Sequence, residues 1–333
     1  MFLEIKGIKK HYGEGESRVE VLNGIDIEVN KGEIVVLLGP SGSGKSTLLN
    51  IIGGIDDADE GYISIDGEKT ADMNEKRLTQ YRRKHLGYVF QMYNLIPNLT
   101  VRENIEVGAY LSDKALNTDE ILNTLGLSDH ADKKPNQLSG GQQQRTSIGR
   151  ALIKNPDILL CDEPTGALDY NTSKDILKLI EDVNKKYGNT IIIVTHQMEV
   201  VKEVCNKVAI LKDGKVLECG DTEELFLNHS ECLKELLGEE EVVPNSGVNI
   251  KLFFPKEFSN GYIITSMARS LDIDFSIVWG KLEKFRDDVL GSLIINIPQD
   301  KKEQVINYLN STDIKWEVLQ NKENKINNKE FKG

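Results

Sequence analysis

The stretch from residue 39 to residue 46 constrains the fold of this chain more than any other. It reads Gly-Pro-Ser-Gly-Ser-Gly-Lys-Ser, which fits the phosphate-loop pattern G-x-x-x-x-G-K-S. The apolar run 34–38 precedes it and the amphipathic run 47–52 follows it. This context predicts the strand, glycine loop and helix that the motif requires, and it distinguishes the stretch from a Gly/Ser linker.

The chemistry expected of this loop is the binding of a nucleotide triphosphate with Mg²⁺. Glycines let the backbone curl so that its N–H groups face a phosphate, and the following helix adds the positive end of its dipole. Lys45 is predicted to contact the β- and γ-phosphates, and the hydroxyl of Ser46 is predicted to face Mg²⁺. The residues expected to hold ATP here are Gly39, Pro40, Ser41, Gly42, Ser43, Gly44, Lys45, Ser46 and Thr47.

Composition limits the remaining possibilities. A length of 333 residues favours two domains, and 39% hydrophobic with 28% charged residues is typical of a soluble globular protein. No apolar run approaches the roughly 20 residues of a membrane span, and the N-terminus does not resemble a signal peptide. A net charge of −12 argues against nucleic-acid binding. The four cysteines form no C-x-x-C pair, which favours a reduced, cytoplasmic protein.

Periodicity predicts an α/β first domain over residues 1–230. Short strands at 2–8, 19–22 and 25–29, with a turn at Asn23-Gly24, form an antiparallel layer. A charged helix is expected over 71–85 and a strand over 86–90. A helical region then extends from 92 to about 153 and is interrupted by Pro97 and Pro135. Buried strands at 158–161 and 190–195 flank a helix, and a hairpin over 208–218 closes the domain.

A second unit is predicted after an acidic stretch that contains proline and glycine. Residues 231–247 are expected to be a linker. Over 248–320, some segments have apolar residues at every second position, as in strands, and others have them at helical spacing. The segments follow one another in the order strand, helix, strand, strand, helix, strand. This order predicts a small α+β ferredoxin-like (ACT-like) domain with two helices on one side of a four-stranded sheet. Residues 321–333, rich in Lys, Asn and Glu, are expected to be a disordered tail.

The stretch Leu138-Ser-Gly-Gly-Gln142 gives the chain a specific family resemblance. Taken alone, it opens a helix and offers either a second anion site or only a helix-capping glycine turn. Together with the phosphate loop upstream, it resembles the LSGGQ signature of the ATP-binding-cassette (ABC) ATPases, and the resemblance covers about residues 1–230. It implies a head-to-tail, ATP-dependent homodimer, in which the signature of one copy contacts the γ-phosphate held by the other. The residues implied are Ser139, Gly140, Gly141 and Gln142.

Two carboxylates at the end of a buried strand are the expected centre of the chemistry. Asp162 and Glu163 follow the apolar run 158–161, where unpaired charges are costly unless they bind a metal or a partner. Asp162 is expected to hold the Mg²⁺ shell, and Glu163 is expected to act as general base on the attacking water. Two acids at a strand end are common in unrelated proteins, but the following Pro-Thr-Gly-Ala-Leu-Asp169 resembles the D-loop of the family.

The same resemblance assigns further residues. Gln91 corresponds to the glutamine that senses Mg²⁺ and water, and His196 to the switch histidine near the γ-phosphate. Tyr12 corresponds to the aromatic residue on which adenine stacks, and Asp169 to the dimer seam. The predicted metal-facing residues are therefore Ser46, Gln91 and Asp162. Each assigned role has an ordinary structural alternative: His196 could be a loop histidine without a catalytic role, and Tyr12 could be a turn tyrosine that binds no base.

Two branches of the family compete for this sequence. The cassette resembles the lipoprotein-release and macrolide-efflux type at 19–24, 48–56 and 164–169. That branch usually ends near residue 230, whereas residues 248–320 resemble the ligand-sensing domain of methionine-importer ATPases. The second unit is expected either to bind an amino acid or to act only as a dimerisation module.

The resulting expectation is an ATPase that powers a separate integral membrane permease. By the same resemblance, residues 93–100 are expected to receive the coupling helix of the permease. The protein is expected to be cytoplasmic and peripheral on the inner face of the plasma membrane. The type favoured is export or extraction; the alternative is an amino-acid importer ATPase regulated through the C-terminal domain. A soluble ABC ATPase acting on DNA or ribosomes is disfavoured, because only one phosphate loop and no long coiled coil are present. A primarily ligand-sensing regulator is the third possibility.

Overall fold

A computed structural model describes residues 1–227, 243–254, 262–285, 288–312 and 314–319. Three features of the sequence analysis lie outside these residues: most of the predicted linker, the predicted tail, and Cys232. The described residues divide into two compact units, the first over residues 1–225 and the second over residues 226–227 and the described residues from 243 onward.

The first unit begins with an antiparallel sheet. Its strands are β1 (Leu3–Tyr12), β2 (Val19–Val29), β4 (Glu60–Ile65) and β5 (Glu68–Lys69), in the order β2-β1-β4-β5. The predicted turn at Asn23-Gly24 is wrong, because β2 runs through it as one strand. Ile8 pairs with Ile25 and Lys9 pairs with Asn23, which leaves Gly24 as the extra residue of a β-bulge. Gly24 has a φ of 77°, and glycine adopts this left-handed conformation without strain.

The central sheet of the first unit carries the phosphate loop. Its order is β10-β9-β3-β8-β7-β6. Five strands are parallel, and β10 is antiparallel to β9. The strands β3, β8 and most of β7 are wholly buried, as their continuous apolar sequences require when both faces of a sheet are covered. The bounds are β3 (Ile34–Leu38), β6 (Leu86–Val89), β7 (Ile158–Asp162), β8 (Thr190–Thr195), β9 (Lys207–Lys212) and β10 (Lys215–Asp221).

Helices surround this sheet and confirm the mixed α/β architecture. The predicted helix over 71–85 begins at residue 75, because Asn74 caps it by accepting a hydrogen bond from the N–H of Arg77. The predicted helical region 92–153 consists of three separate helices, α3 to α5. The helices are α1 (Lys45–Ile52), α2 (Glu75–His85), α3 (Val101–Ala109), α4 (Thr118–Thr124), α5 (Gly140–Leu152), α6 (Tyr170–Tyr187), α7 (Met198–Val204) and α8 (Thr222–Leu227).

The second unit has the predicted order of strand, helix, strand, strand, helix, strand. Its four strands form an antiparallel sheet in the order β12-β13-β11-β14. Alternate residues of β11 (Val248, Ile250 and Leu252) pack with Met267, Val305 and Leu309 of the two helices in one core. The elements are β11 (Val248–Phe254), α9 (Ile263–Leu271), β12 (Ser276–Phe285), β13 (Asp288–Ile297), α10 (Lys302–Asn310) and β14 (Lys315–Leu319).

Candidate nucleotide site

A pocket of about 760 Å³ opens where the central strands end. The carboxyl ends of β3, β7 and β8 meet at this edge of the parallel sheet, which is where α/β folds bind ligands. The pocket brings together residues that are far apart in sequence. It is lined by Val21, Pro40, Ser41, Gly42, Gly44, Lys45, Ser46, Thr47, Gln91, Asp162, Glu163 and His196.

Close backbone approaches fix the shape of the phosphate loop. Gly44 precedes α1 with a φ of 97°. A Cβ at Gly44 would lie 2.8 Å from the carbonyl oxygen of Val21, and one at Gly39 would lie 2.1 Å from that of Leu211. A side chain at either position would push β2 or β9 away, so the motif glycines are required by packing as well as by backbone conformation.

Lys45 is a buried cation at the base of the pocket. Its Nζ donates to the carbonyl oxygens of Gly39 and Pro40, each at 2.8 Å. Burial lowers the pKa of Lys45, and the nearby carboxylates of Glu163 and Asp162 oppose this shift. The loop thus folds back on its own lysine and keeps the positive charge where phosphate oxygens would bind.

Asp162 and Ser46 form an oxygen pair across the pocket. The hydroxyl of Ser46 donates to Oδ1 of Asp162 at 3.1 Å, although the two residues are 116 positions apart. Burial, with a contribution from the charge of Glu163, raises the pKa of Asp162. In the described part of the chain, no group of three His, Cys, Asp or Glu side chains is placed to hold a metal ion. A carboxylate and a hydroxyl do fit Mg²⁺, which takes few protein ligands and completes its shell with phosphate and water.

Glu163 adopts an unusual backbone conformation directly after β7. Its φ is 46°, in the left-handed region that side chains rarely occupy. Its N–H donates to the carbonyl oxygen of Val194 at 3.0 Å. Oε1 lies 2.8 Å from Nδ1 of His196, and Oε2 accepts from the hydroxyl of Thr195 at 3.3 Å. The structure therefore pairs the predicted base with the predicted switch histidine, and it adds Thr195, which sequence reasoning missed.

Tyr12 stands beside the pocket rather than in its lining. Its hydroxyl donates to Oδ2 of Asp56 at 2.5 Å and interacts more weakly with Thr47 of the phosphate loop. Its side chain is 46% exposed. Neither Asp56 nor its partner Lys10 was singled out by sequence reasoning, because each is an ordinary charged residue in its local context.

The signature residues do not line this pocket. Ser139 caps α5: its side chain accepts from the N–H of Gln142, and the Gln142 side chain accepts from the N–H of Ser139 at 2.9 Å. Gly140 and Gly141 form the first turn of the helix, where a Cβ at Gly141 would lie 2.6 Å from Thr172. The helix start predicted at the signature stretch is present. Its residues 139–142 do not line the phosphate-loop pocket of the same chain.

Asp169, predicted for a dimer seam, caps α6. Its Oδ1 accepts from the N–H groups of Asn171 and Thr172, each at 3.1 Å, and its Oδ2 accepts from the Thr172 hydroxyl at 2.6 Å. These hydrogen bonds lower the pKa of Asp169. The side chain is exposed, so this cap leaves the residue accessible to other contacts.

An ATP-binding cassette ATPase is the class of protein that these features define: a phosphate loop, two carboxylates at the end of a strand, a histidine directly after the neighbouring strand, and a separate signature helix. A family model described as "ABC transporter" matches residues 22–166, and one described as "NIL domain" matches residues 248–318. The chain belongs to the family of ABC-transporter ATP-binding proteins, here with a C-terminal NIL domain.

Curated relatives match over nearly the whole chain. A protein of Clostridioides difficile named "Methionine import ATP-binding protein MetN" is 48% identical over 96% of this chain and 99% of its own length. The MetN protein of Bacillus subtilis is 33% identical over 96% of this chain and 99% of its own length. These matches include the second unit as well as the cassette.

Solved structures match the cassette. The ATP-binding cassette MJ0796, described as dimeric in a post-hydrolysis state with ADP and Pi, is 41% identical, with a TM-score of 0.60. The match covers 66% of this chain and 98% of that one. The cbiO1 protein from Clostridium perfringens, part of an ABC transporter complex, is 31% identical over 68% of this chain and 90% of that one, with a TM-score of 0.61.

These comparisons correct one expectation about the branch. The resemblance to the lipoprotein-release and macrolide-efflux type is not supported, since the relatives that span the whole chain are named as methionine import proteins. The importer alternative is therefore favoured over the export type. The short stretches at 19–24, 48–56 and 164–169 suggested the branch that the comparisons do not support, whereas the C-terminal pattern suggested the branch that they favour. Across the described residues, no helix is both long and apolar enough to span a bilayer.

Proposed function

We propose that this chain is the ATP-hydrolysing subunit of a methionine importer and drives a separate membrane permease. The observation that carries the proposal is the match to methionine import proteins over 96% of the chain, including the NIL domain at 248–318. An export cassette would share only the first unit. The proposed domain boundaries are 1–230, 231–247, 248–320 and 321–333.

The pocket supports specific roles in ATP hydrolysis. Lys45 and the N–H groups of the loop bind the phosphates, and Ser46, Asp162 and Gln91 are the residues that would hold Mg²⁺. The metal would neutralise charge on the phosphates when bound. Glu163 orients a water and accepts its proton, while His196, 2.8 Å away, holds the carboxylate in place.

Two copies arranged head to tail would complete the site. The helix end formed by Ser139, Gly140, Gly141 and Gln142 lies outside the phosphate-loop pocket of its own chain, so it is free to face another copy. A helix N-terminus with unpaired N–H groups suits a γ-phosphate. The description of MJ0796 as a dimer supports this arrangement.

We also propose where in the cell the protein acts. A transporter ATPase acts on the inner face of the plasma membrane through contact with its permease. Met92 and Ile96, which follow Gln91, are large apolar side chains that are 72% and 40% exposed. They suit the apolar contact that a permease segment would make. The second unit is proposed to bind the imported amino acid, with simple dimerisation as the alternative.

The test is uptake by cells that depend on this protein. A methionine auxotroph without its own importer would express this chain together with its permease partner, and accumulation of radiolabelled methionine would be measured. We expect uptake with the natural chain and at least a hundredfold loss with Glu163→Gln, because a general base contributes on that order. The purified variant should retain ATP and elute as a dimer.

Two results would contradict the proposal. Uptake that proceeds equally with Glu163→Gln would remove the role of Glu163. If cells that express the chain accumulate no methionine and lose preloaded methionine faster than cells without it, the protein would be of the export type instead. An exposed carboxylate supplies the matched control, since Glu203→Gln breaks only a surface ion pair with Lys174 and should leave uptake unchanged.

A further inference from the structure

A carboxylate holds the phenol of Tyr12 beside the nucleotide pocket. The hydroxyl of Tyr12 donates to Oδ2 of Asp56 at 2.5 Å, across 44 positions of sequence. Tyr12 ends β1, and Asp56 lies in the turn that follows α1. The contact therefore ties the end of β1 to the helix that begins at the phosphate loop.

Asp56 is itself held from its other oxygen. Oδ1 accepts from Nζ of Lys10 at 2.7 Å and from the N–H of Asp57 at 2.8 Å. Nζ of Lys10 also donates to the carbonyl oxygen of Asp57 at 2.7 Å. Burial alone would raise the pKa of Asp56, but the hydrogen bonds from Lys10 and Tyr12 bring it below its usual value. Asp56 is thus a charged acceptor with a defined orientation.

Lys10 also contacts the ring of Tyr12. Its Nζ lies over the ring, 5.1 Å from the centroid, within the range of a cation–π interaction. Lys10 is only 8% exposed, whereas Tyr12 is 46% exposed. A fixed cation therefore lies over the ring, and the exposure of Tyr12 leaves ring surface on which a base could stack.

We propose that Asp56 and Lys10 are positioning residues that hold Tyr12 as a platform for the nucleobase of ATP. The inference rests on the stacking role proposed for Tyr12 and adds the residues that enable it. A tyrosine at an exposed turn loses rotamer freedom when a base stacks on it, and anchoring its hydroxyl in advance removes that penalty. The hydrogen bonds that Lys45 and Ser46 make around the phosphate loop involve neither Asp56 nor Lys10, so we expect the effect to fall on ligands that carry a base.

The test compares ATP with a ligand that has no base. Binding of ATP to the full-length chain would be measured by equilibrium dialysis, and binding of inorganic tripolyphosphate by competition. We expect Asp56→Ala to weaken ATP binding by about threefold to tenfold, the range of a misplaced aromatic contact. Tripolyphosphate binding should stay within experimental error of the natural chain. Asp56→Asn, which keeps the shape of the side chain, should weaken ATP binding in the same direction and by less.

The matched control is a second carboxylate of the same turn. Asp59 accepts from the N–H of His11 at 2.6 Å, so Asp59→Ala removes an equal charge from this turn without removing the acceptor of the Tyr12 hydroxyl. It should leave ATP binding unchanged. Tyr12→Ala should weaken ATP binding by about tenfold, and Asp56→Ala should add nothing on that background, because its effect passes through the ring.

The outcomes separate the positioning role from the stacking role. If Tyr12→Ala weakens ATP binding and Asp56→Ala does not, the positioning role is wrong and the stacking role stands. If Asp56→Ala weakens ATP and tripolyphosphate equally, or adds to Tyr12→Ala, Asp56 supports the phosphate loop instead, and the inference is overturned. If Tyr12→Ala binds ATP as the natural chain does, the stacking role fails and the inference fails with it.

Discussion

Glu163 shows how the fold places one side chain for chemistry. Its left-handed backbone conformation, with a φ of 46°, costs on the order of 1 kcal/mol or more for a residue that is not glycine. The N–H bond to Val194 and the side-chain contacts with Thr195 and His196 hold it there. All three partners belong to β8 or the residue after it, so the neighbouring strand positions the carboxylate.

A half-buried lysine, Lys154, predicts a pH dependence of stability. Its Nζ donates to the carbonyl oxygens of Arg82 and Leu86, at 3.0 and 2.6 Å. Burial, with a smaller effect of the nearby Arg83, lowers the pKa of Lys154 from 10.5 to about 8. Above pH 8 the folded protein releases this proton while the unfolded chain keeps it until about pH 10.5. Because the unfolded state then binds more protons, the free energy of unfolding rises with pH.

The measurement compares the natural chain with Lys154→Met by urea unfolding at pH 7.5 and 9.5. Between these two pH values, we expect the free energy of unfolding of the natural chain to rise by about 1 kcal/mol relative to that of the variant. This value is discounted for partial solvent screening. Lys178 is exposed on α6. The free energy of unfolding of Lys178→Met should therefore change with pH by the same amount as that of the natural chain. A constant difference between the natural chain and Lys154→Met at both pH values would show that Lys154 stays charged in the fold.

At the scale of elements, two helices begin at residues that the family resemblance assigns to the ATP site. Ser139 caps α5 and Asp169 caps α6, each by accepting hydrogen bonds from the first turn of its helix. A cap satisfies N–H groups that the helix leaves unpaired. The same side chains therefore have a structural role within one chain and a proposed contact role between two chains.

Substitutions at Asp169 should separate these two roles. Asp169→Ala removes the cap and should lower the unfolding temperature of the first unit by about 2–4 °C, as expected for the loss of one helix cap. Asp169→Ser restores a capping oxygen and should keep the unfolding temperature. If Asp169 also lies at the dimer seam, the serine variant should still release phosphate from ATP more slowly. An alanine variant that melts like the natural chain would show that this cap adds no stability.

At the scale of the molecule, each unit has a hydrophobic cluster of its own among the described residues. One contains the apolar faces of β1, β3 and α1, and the other the face of β11 with α9 and α10. No residue belongs to both clusters. Units with their own cores are able to fold alone.

Removal of the second unit should therefore leave the cassette intact. Deletion of residues 245–333 is expected to change the ATP hydrolysis rate by no more than about twofold, because the pocket and its supporting core lie in the first unit. Phosphate release by the purified fragment, together with its circular dichroism spectrum, provides the measurement. Loss of the folded spectrum would show that the second unit stabilises the cassette.

Local pattern predicted most of the fold and much of the site. Strand and helix periodicity, the phosphate loop and the signature stretch each depend on residues close together in sequence, so their elements were found in the right order. Gly24 was misassigned because Asn-Gly is typical of a hairpin turn, and only the pairing with β1 shows that it forms a bulge.

The sequence by itself determined the fold class, the candidate nucleotide site and the separate second unit, because these follow from motifs and spacing along the chain. Only the tertiary structure decided that Glu163 faces His196 and Thr195, that Ser46 reaches Asp162, and that Tyr12 is anchored by Asp56. These partners are 32 to 116 positions apart. Contacts of that kind depend on how strands are ordered and how loops return to the same edge of the sheet, which local sequence does not encode.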